Sequence, residues 1–150
     1  MITPAMKPDV IKFTNGKMKL KGVLYSPAGN GPFPAVIYNH GSAPGMQNAE
    51  AAELLGPLYA SHGWVFFMPY RRGQGLSASA GPYIMTEVNA AAKKKGKPAA
   101  SATLVKLLTT DHLSDQLSAL AWLKKEPYVQ SNRIAGAGNS FGGIQAVLRS

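Results

Sequence analysis

Hydrophobic and polar residues alternate near the start of the chain: in DVIKFTNGKMKLKGVLYSP, Ile11 and Phe13, then Met18 and Leu20, are separated by polar neighbours. That period of two predicts a pair of strands, and Asn15-Gly16 between them supplies the positive φ angles of a tight hairpin turn. After the turn-rich AGNGPFP comes AVIYNH, a largely apolar run of the kind buried on both faces in a parallel sheet. Asn48 to His62 reads as a helix with Ala51, Leu54, Leu55, Leu58 and Tyr59 on one side and Gly63 as its stop, kinked or divided at Gly56-Pro57. WVFFMP is the next buried strand, reached by a right-handed βαβ crossover.

Residues 79 to 103, with AAKKKGKPAAS, break this rhythm and read as an inserted excursion or lid containing some helix. From about Leu104 to Lys124, Leu113, Leu117, Leu120 and Ala121 recur at helical spacing, and Thr110 or Asp111 can cap a fresh start. NRIAGAGN is another buried strand, and FGGIQAVLRS begins a helix. The expected fold class is α/β, a mostly parallel sheet flanked by helices behind an N-terminal antiparallel hairpin.

With 150 residues, 45% of them apolar, the chain has the length of one domain and enough material for a core. A formal charge of +9 raises nucleic acid or an anionic membrane as partners, but the cations are dispersed. Five lysines decorate Lys7 to Lys21, four more form KKKGK, and Arg71-Arg72 lies between a strand-like run and a Gly turn, so neither partner is expected. The absence of Cys excludes a thiolate nucleophile and a Cys-based metal site. No signal-peptide core and no run of ~20 apolar residues is present, so a soluble, cytoplasmic protein is expected.

Chemistry is concentrated near the last strand. Gly138-Asn139-Ser140-Phe141-Gly142 matches G-x-S-x-G between a buried strand and a helix, where small residues let the backbone turn sharply and lift the serine clear of the sheet. The Phe141 N–H and the helix N-terminus then face developing negative charge. His40-Gly41-Ser42 follows an earlier strand, where a second oxyanion N–H, that of Ser42, is expected.

Through AVIYNHG, HGWVFFMPYRRGQGLS, DQLSALAWLKK and NRIAGAGNSFGG, in that order, the chain resembles the N-terminal half of an α/β-hydrolase, similar to the dienelactone hydrolase branch and to prolyl oligopeptidase-type catalytic domains. The resemblance implies Ser140 as nucleophile, Phe141 and Ser42 as oxyanion amides, a structural role for Arg72, and an ester or peptide as small-molecule substrate. It departs in one respect, since dienelactone hydrolases proper carry Cys where this chain has Ser140. In the family order the acid and His follow the nucleophile, so both are expected beyond residue 150, and the isolated chain is expected to be nearly inactive. His40, His62 and His112 read as structural or exposed, Asp115 as a polar-face residue, and Tyr83, Ile84 and Met85 as walls of an acyl pocket. Neither metal nor organic cofactor is required by this chemistry.

Two other classes are weighed. Gly136-Ala137-Gly138 with Gly142 can be read as a dinucleotide-binding turn of an oxidoreductase, although Phe141 occupies the sixth position of G-x-G-x-x-G. Alternatively the chain is a non-catalytic half-molecule working with a partner chain. On either hydrolase reading, the strand before Ser140 leaves a long apolar edge for a partner or a C-terminal half.

Overall fold

The computed structural model describes residues 6–149. Its first strands, β1 (Asp9–Asn15) and β2 (Met18–Tyr25), pair antiparallel from Asn15 opposite Met18 to Asp9 opposite Leu24. The turn is therefore made by Gly16 and Lys17, one place beyond the expected Asn15-Gly16, with Gly16 at φ 59°. Asn15 stays in the ladder, and its side-chain amide donates to Ser114 and Asp115, both at 2.9 Å.

The apolar runs become β3 (Phe33–Asn39), β4 (Val65–Pro69) and β5 (Val129–Gly138). They join the hairpin in one five-stranded mixed sheet of order β1-β2-β4-β3-β5, in which β3 pairs parallel with both β4 and β5 while β2 meets β4 antiparallel. The strand period of two divides the core. Phe13, Leu20, Leu24, Ile37 and Phe67 meet Ala119 and Leu123 of α4 (Asp111–Lys124) on one face, while Val23, Tyr25, Val36, Phe66 and Met68 meet Ala52 and Ala60 of α1 (Ala49–Ser61) on the other.

The inward faces of α1 and α4 differ from those expected. Across β2, α1 turns Ala52, Gly56 and Ala60 inward and leaves Leu54 73% and Leu58 52% exposed. Close approach selects this face, because a Cβ on Gly56 would lie 2.2 Å from the Tyr25 ring. Pro57 sits inside a helix that continues through it to Ser61, so α1 is not divided. In α4 the buried positions are His112, Asp115, Gln116, Ala119 and Leu123, while Leu117 is 45% exposed. That stripe is largely polar because it faces arginines and Asn15, as described below.

A 3-10 segment (Gly75–Ala80) follows β4 and leads into the excursion, which is a pair of packed helices, α2 (Ile84–Lys95) and α3 (Lys97–Thr109). Ile84, Val88, Leu107 and Leu108 give the pair a small core of its own. The chain breaks at Thr110 before α4, at the expected place, but the Thr110 hydroxyl donates back to the Lys106 carbonyl instead of capping. Helix α5 (Phe141–Arg149) follows β5, which forms one edge of the sheet.

Candidate active site

In open α/β sheets, ligands gather outside the carboxyl ends of strands where the winding reverses. Here the chain leaves β3 for β4 on one side and returns to β5 on the other, so the reversal lies between Asn39 and its register partner Gly138. Ser140 is exposed just beyond that point, at the start of α5.

The backbone there is tightly bent. Ser140 is the one non-glycine at positive φ among the described residues, at 54°, a conformation that costs an L-residue about 1–2 kcal/mol. A Cβ on Gly138 would lie 2.3 Å from the Gly142 carbonyl oxygen, and one on Gly142 would lie 1.9 Å from that of Asn39. Both glycines are required by contact with backbone. Gly142 is therefore pressed on protein, and its N–H donates to Asn139 at 2.9 Å instead of facing an open phosphate cradle.

The loop after β3 packs alongside. A Cβ on Gly41 would lie 3.6 Å from that of Ser140 and 3.5 Å from the Asn139 carbonyl oxygen. The N–H groups of Ser42 and Phe141 meet no protein acceptor among the described residues. Two unspent donors thus belong to segments that meet at an exposed hydroxyl, an arrangement able to bind an oxyanion formed at Ser140.

His40 is 1% exposed and does not reach Ser140. Its Nε2 accepts from the Arg71 backbone N–H at 3.1 Å, so the proton resides on Nδ1, which donates to the Gly41 carbonyl at 2.7 Å. Burial, and then the adjacent Arg71 cation, hold its pKa well below the usual imidazole value. His62 is exposed and donates from Nδ1 to the Leu58 carbonyl at 2.8 Å. His112 is buried with neither ring nitrogen hydrogen-bonded among the described residues, and burial, then Arg71, lower its pKa to about 4. Two of the three are structural and buried, and no histidine pairs with Ser140 among the described residues.

The neighbouring arginines part company. Arg72 forms a two-oxygen pair with Asp115, Nη2 to Oδ1 at 2.8 Å and Nε to Oδ2 at 3.0 Å. Asp115 is 1% exposed, which corrects its expected place on a solvated polar face. Arg71 is fully buried and its guanidinium pairs with no carboxylate among the described residues. Sequence reasoning missed both Arg71 and the inward polar face of α4. The available signal was the spacing of His112, Asp115, Gln116, Ala119 and Leu123, itself helical, beside the more conspicuous leucines.

The excursion touches the site at two points. The Tyr83 hydroxyl donates to the Ser42 carbonyl, and Phe141 packs with Tyr83 and Met85 against the Ile84–Leu107 core. Ile84 itself is buried within that core.

No protein-family model and no curated sequence matches the chain. Solved structures do. The esterase Est22 superposes over 97% of this chain with a TM-score of 0.67 at 20% identity. A structure named m3DLH covers 95% with 0.64 at 22%, and the propionate-bound thermophilic esterase Est2 of the Planctomycetes species Thermogutta terrifontis covers 95% with 0.62 at 18%. The fold is that of the α/β-hydrolases. This chain spans 40% of the Est22 chain, 53% of m3DLH and 44% of Est2. Among the described residues no helix is long and apolar enough to cross a membrane.

Proposed function

We propose that the chain is the nucleophile-bearing part of a serine hydrolase that cleaves a carboxylic ester, or an amide, through an acyl-enzyme. Ser140 Oγ attacks the carbonyl carbon, and its proton passes to a His, oriented by an acid, that lies beyond residue 150. The resulting oxyanion is held by the Phe141 and Ser42 N–H groups. Collapse expels the alcohol, which takes the proton from the same His, and water then hydrolyses the acyl-serine by the reverse assignment of roles.

The observation that carries this reading is the forced left-handed backbone at an exposed Ser140, with two unspent amides beside it. The esterases among the structural neighbours support it, since one Est22 structure is a serine-to-alanine variant and another holds p-nitrophenol. Ester hydrolysis by a protein carrying the acid and His should fall by about 10⁶ in Ser140→Ala. The 150-residue chain alone should be slower than the complete protein by a similar factor, because it lacks the base. p-Nitrophenyl ester kinetics together with mass spectrometry of a phosphonate-labelled serine decide the matter. Labelling at another residue, or full activity in Ser140→Ala, rejects the proposal.

A further inference from the structure

An isolated buried cation is expensive unless the fold needs it there. Arg71 is such a cation, since Arg72 already holds Asp115. Its acceptors are instead the backbone of the loop beside Ser140. Nη1 donates to the His40 carbonyl at 2.7 Å, and Nη2 to the Gly41 carbonyl at 2.9 Å. Nη1 also reaches Gln145 Oε1 on α5 at 3.0 Å.

We infer that Arg71 is a positioning residue for oxyanion binding, aligning and polarising the Gly41–Ser42 peptide whose N–H faces the reaction. The inference rests on the proposed role of Ser140 and extends it to the second amide. The Gly41 carbonyl and the Ser42 N–H belong to one planar trans peptide and point in opposite directions, so holding the oxygen aims the hydrogen. That oxygen is held from several sides: by Arg71, by His40 Nδ1 at 2.7 Å, by Gln74 Nε2 at 3.2 Å and by Asn48 Nδ2 at 3.4 Å.

A cation on the carbonyl also draws electron density through the peptide and makes the N–H a stronger donor, as in any hydrogen-bond chain in a low-dielectric setting. Through Gln145 the same planar fork is tied to α5, whose first residue supplies the Phe141 N–H. One guanidinium therefore sets both amide-bearing segments. A lysine, with a single point charge, can serve only part of this geometry. Arg71 acts through these amides and does not itself touch the substrate.

The test is kinetic and spectroscopic together. With the acid and His present, Arg71→Met should lower kcat roughly 10- to 100-fold, below the full loss of an oxyanion donor, while KM stays within about twofold, because the ground-state carbonyl calls on the Ser42 amide only weakly. Arg71→Lys should recover part of that kcat. In the 150-residue chain, the Ser42 amide proton should move upfield in Arg71→Met, and amides of β1 and β2 should not.

If Arg71→Met does not fold, Gln145→Met and Arg71→Lys carry the same measurements, each with a smaller expected drop in kcat. A folded Arg71→Met with wild-type kcat, or one that loses thermal stability alone, overturns the inference. Should Ser140→Ala keep its activity, the nucleophile assignment falls on its own, and an unmoved Ser42 amide would separately reject the role of Arg71.

Discussion

The two edges of the sheet are built on different principles. At the β1 edge, Lys12 lies opposite Lys21 and Thr14 opposite Lys19, with Lys12, Lys19 and Lys21 all exposed. Like charges facing each other weaken the local pair slightly, yet they discourage another strand from adding on. At the other edge, Ile134 to Gly138 of β5 contains no charged residue, Ala135 and Gly136 are exposed, and α5 beside it exposes Ile144 and Leu148. This second half of β5 has the composition of an interior strand at an edge position. The contrast teaches that one end of the sheet is finished by the residues in hand, whereas the end carrying Ser140 is suited to receiving more strands. These are the proposed seat of the acid and His.

The largest expected difference between the ends is in glycine tolerance. Gly142→Ala would drive a Cβ into the Asn39 carbonyl and should cost more than about 4 kcal/mol, whereas Gly16→Ala in the hairpin turn, with nothing within 4 Å, should cost only about 1–2 kcal/mol of backbone strain. Urea denaturation of both variants checks this, and equal losses would erase the contrast.

Acid should attack the site end selectively. His112 is neutral when folded, with a pKa lowered to about 4 from 6.5, and His40 is lowered as well. Between these values the unfolded chain binds more protons, so stability is full above about pH 6.5 and drains away toward pH 4, by about 3 kcal/mol for His112 alone. Unfolding free energies at pH 7.5 and pH 4.5, compared between the wild type and His112→Gln, should show a shallower slope in the variant. Hydrogen exchange should rise first around α4 and the loop after β3, and last in the hairpin.

Association gives a finer test. The 150-residue chain should self-associate through β5, and Ala135→Lys should shift its sedimentation toward monomer, whereas Lys12→Glu on the opposite edge should leave the assembly state unchanged. The smallest effect is local: Lys12→Glu should stabilise the hairpin by about 0.2–1 kcal/mol by placing opposite charges at the pair with Lys21. No gain would mean that solvent already screens the lysine pair.

Strand identity and order of elements were legible in the apolar runs and their period, but burial was not for β5, because NRIAGAGN reads as a buried strand whereas its edge position leaves Asn132, Arg133, Ala135 and Gly136 exposed. The hairpin, the βαβ crossover, the break at Thr110 and the turn around Ser140 all followed from local chemistry. Helix faces were not legible in the same way. In α1, Leu54 and Leu58 outbid Ala52, Gly56 and Ala60 in any hydrophobicity count, but the Tyr25 ring leaves room only for the small side chains. In α4 the buried face is polar because Arg72, from the turn after β4, and Asn15 of β1 meet Asp115, a pairing visible only in three dimensions. Arg71 was hidden for the same reason, since its two shortest hydrogen bonds go to backbone carbonyls, which carry no mark in a sequence.

The paired helices after β4 grip the molecule at both sides of Ser140, through Tyr83 on the Ser42 carbonyl and through the packing of Phe141. A segment anchored at one point can swing aside and leave its other contacts intact. This pair, anchored at two, cannot shift without releasing the backbone around Ser42 and Phe141, so on the proposed function any loosening of it is expected to register in turnover.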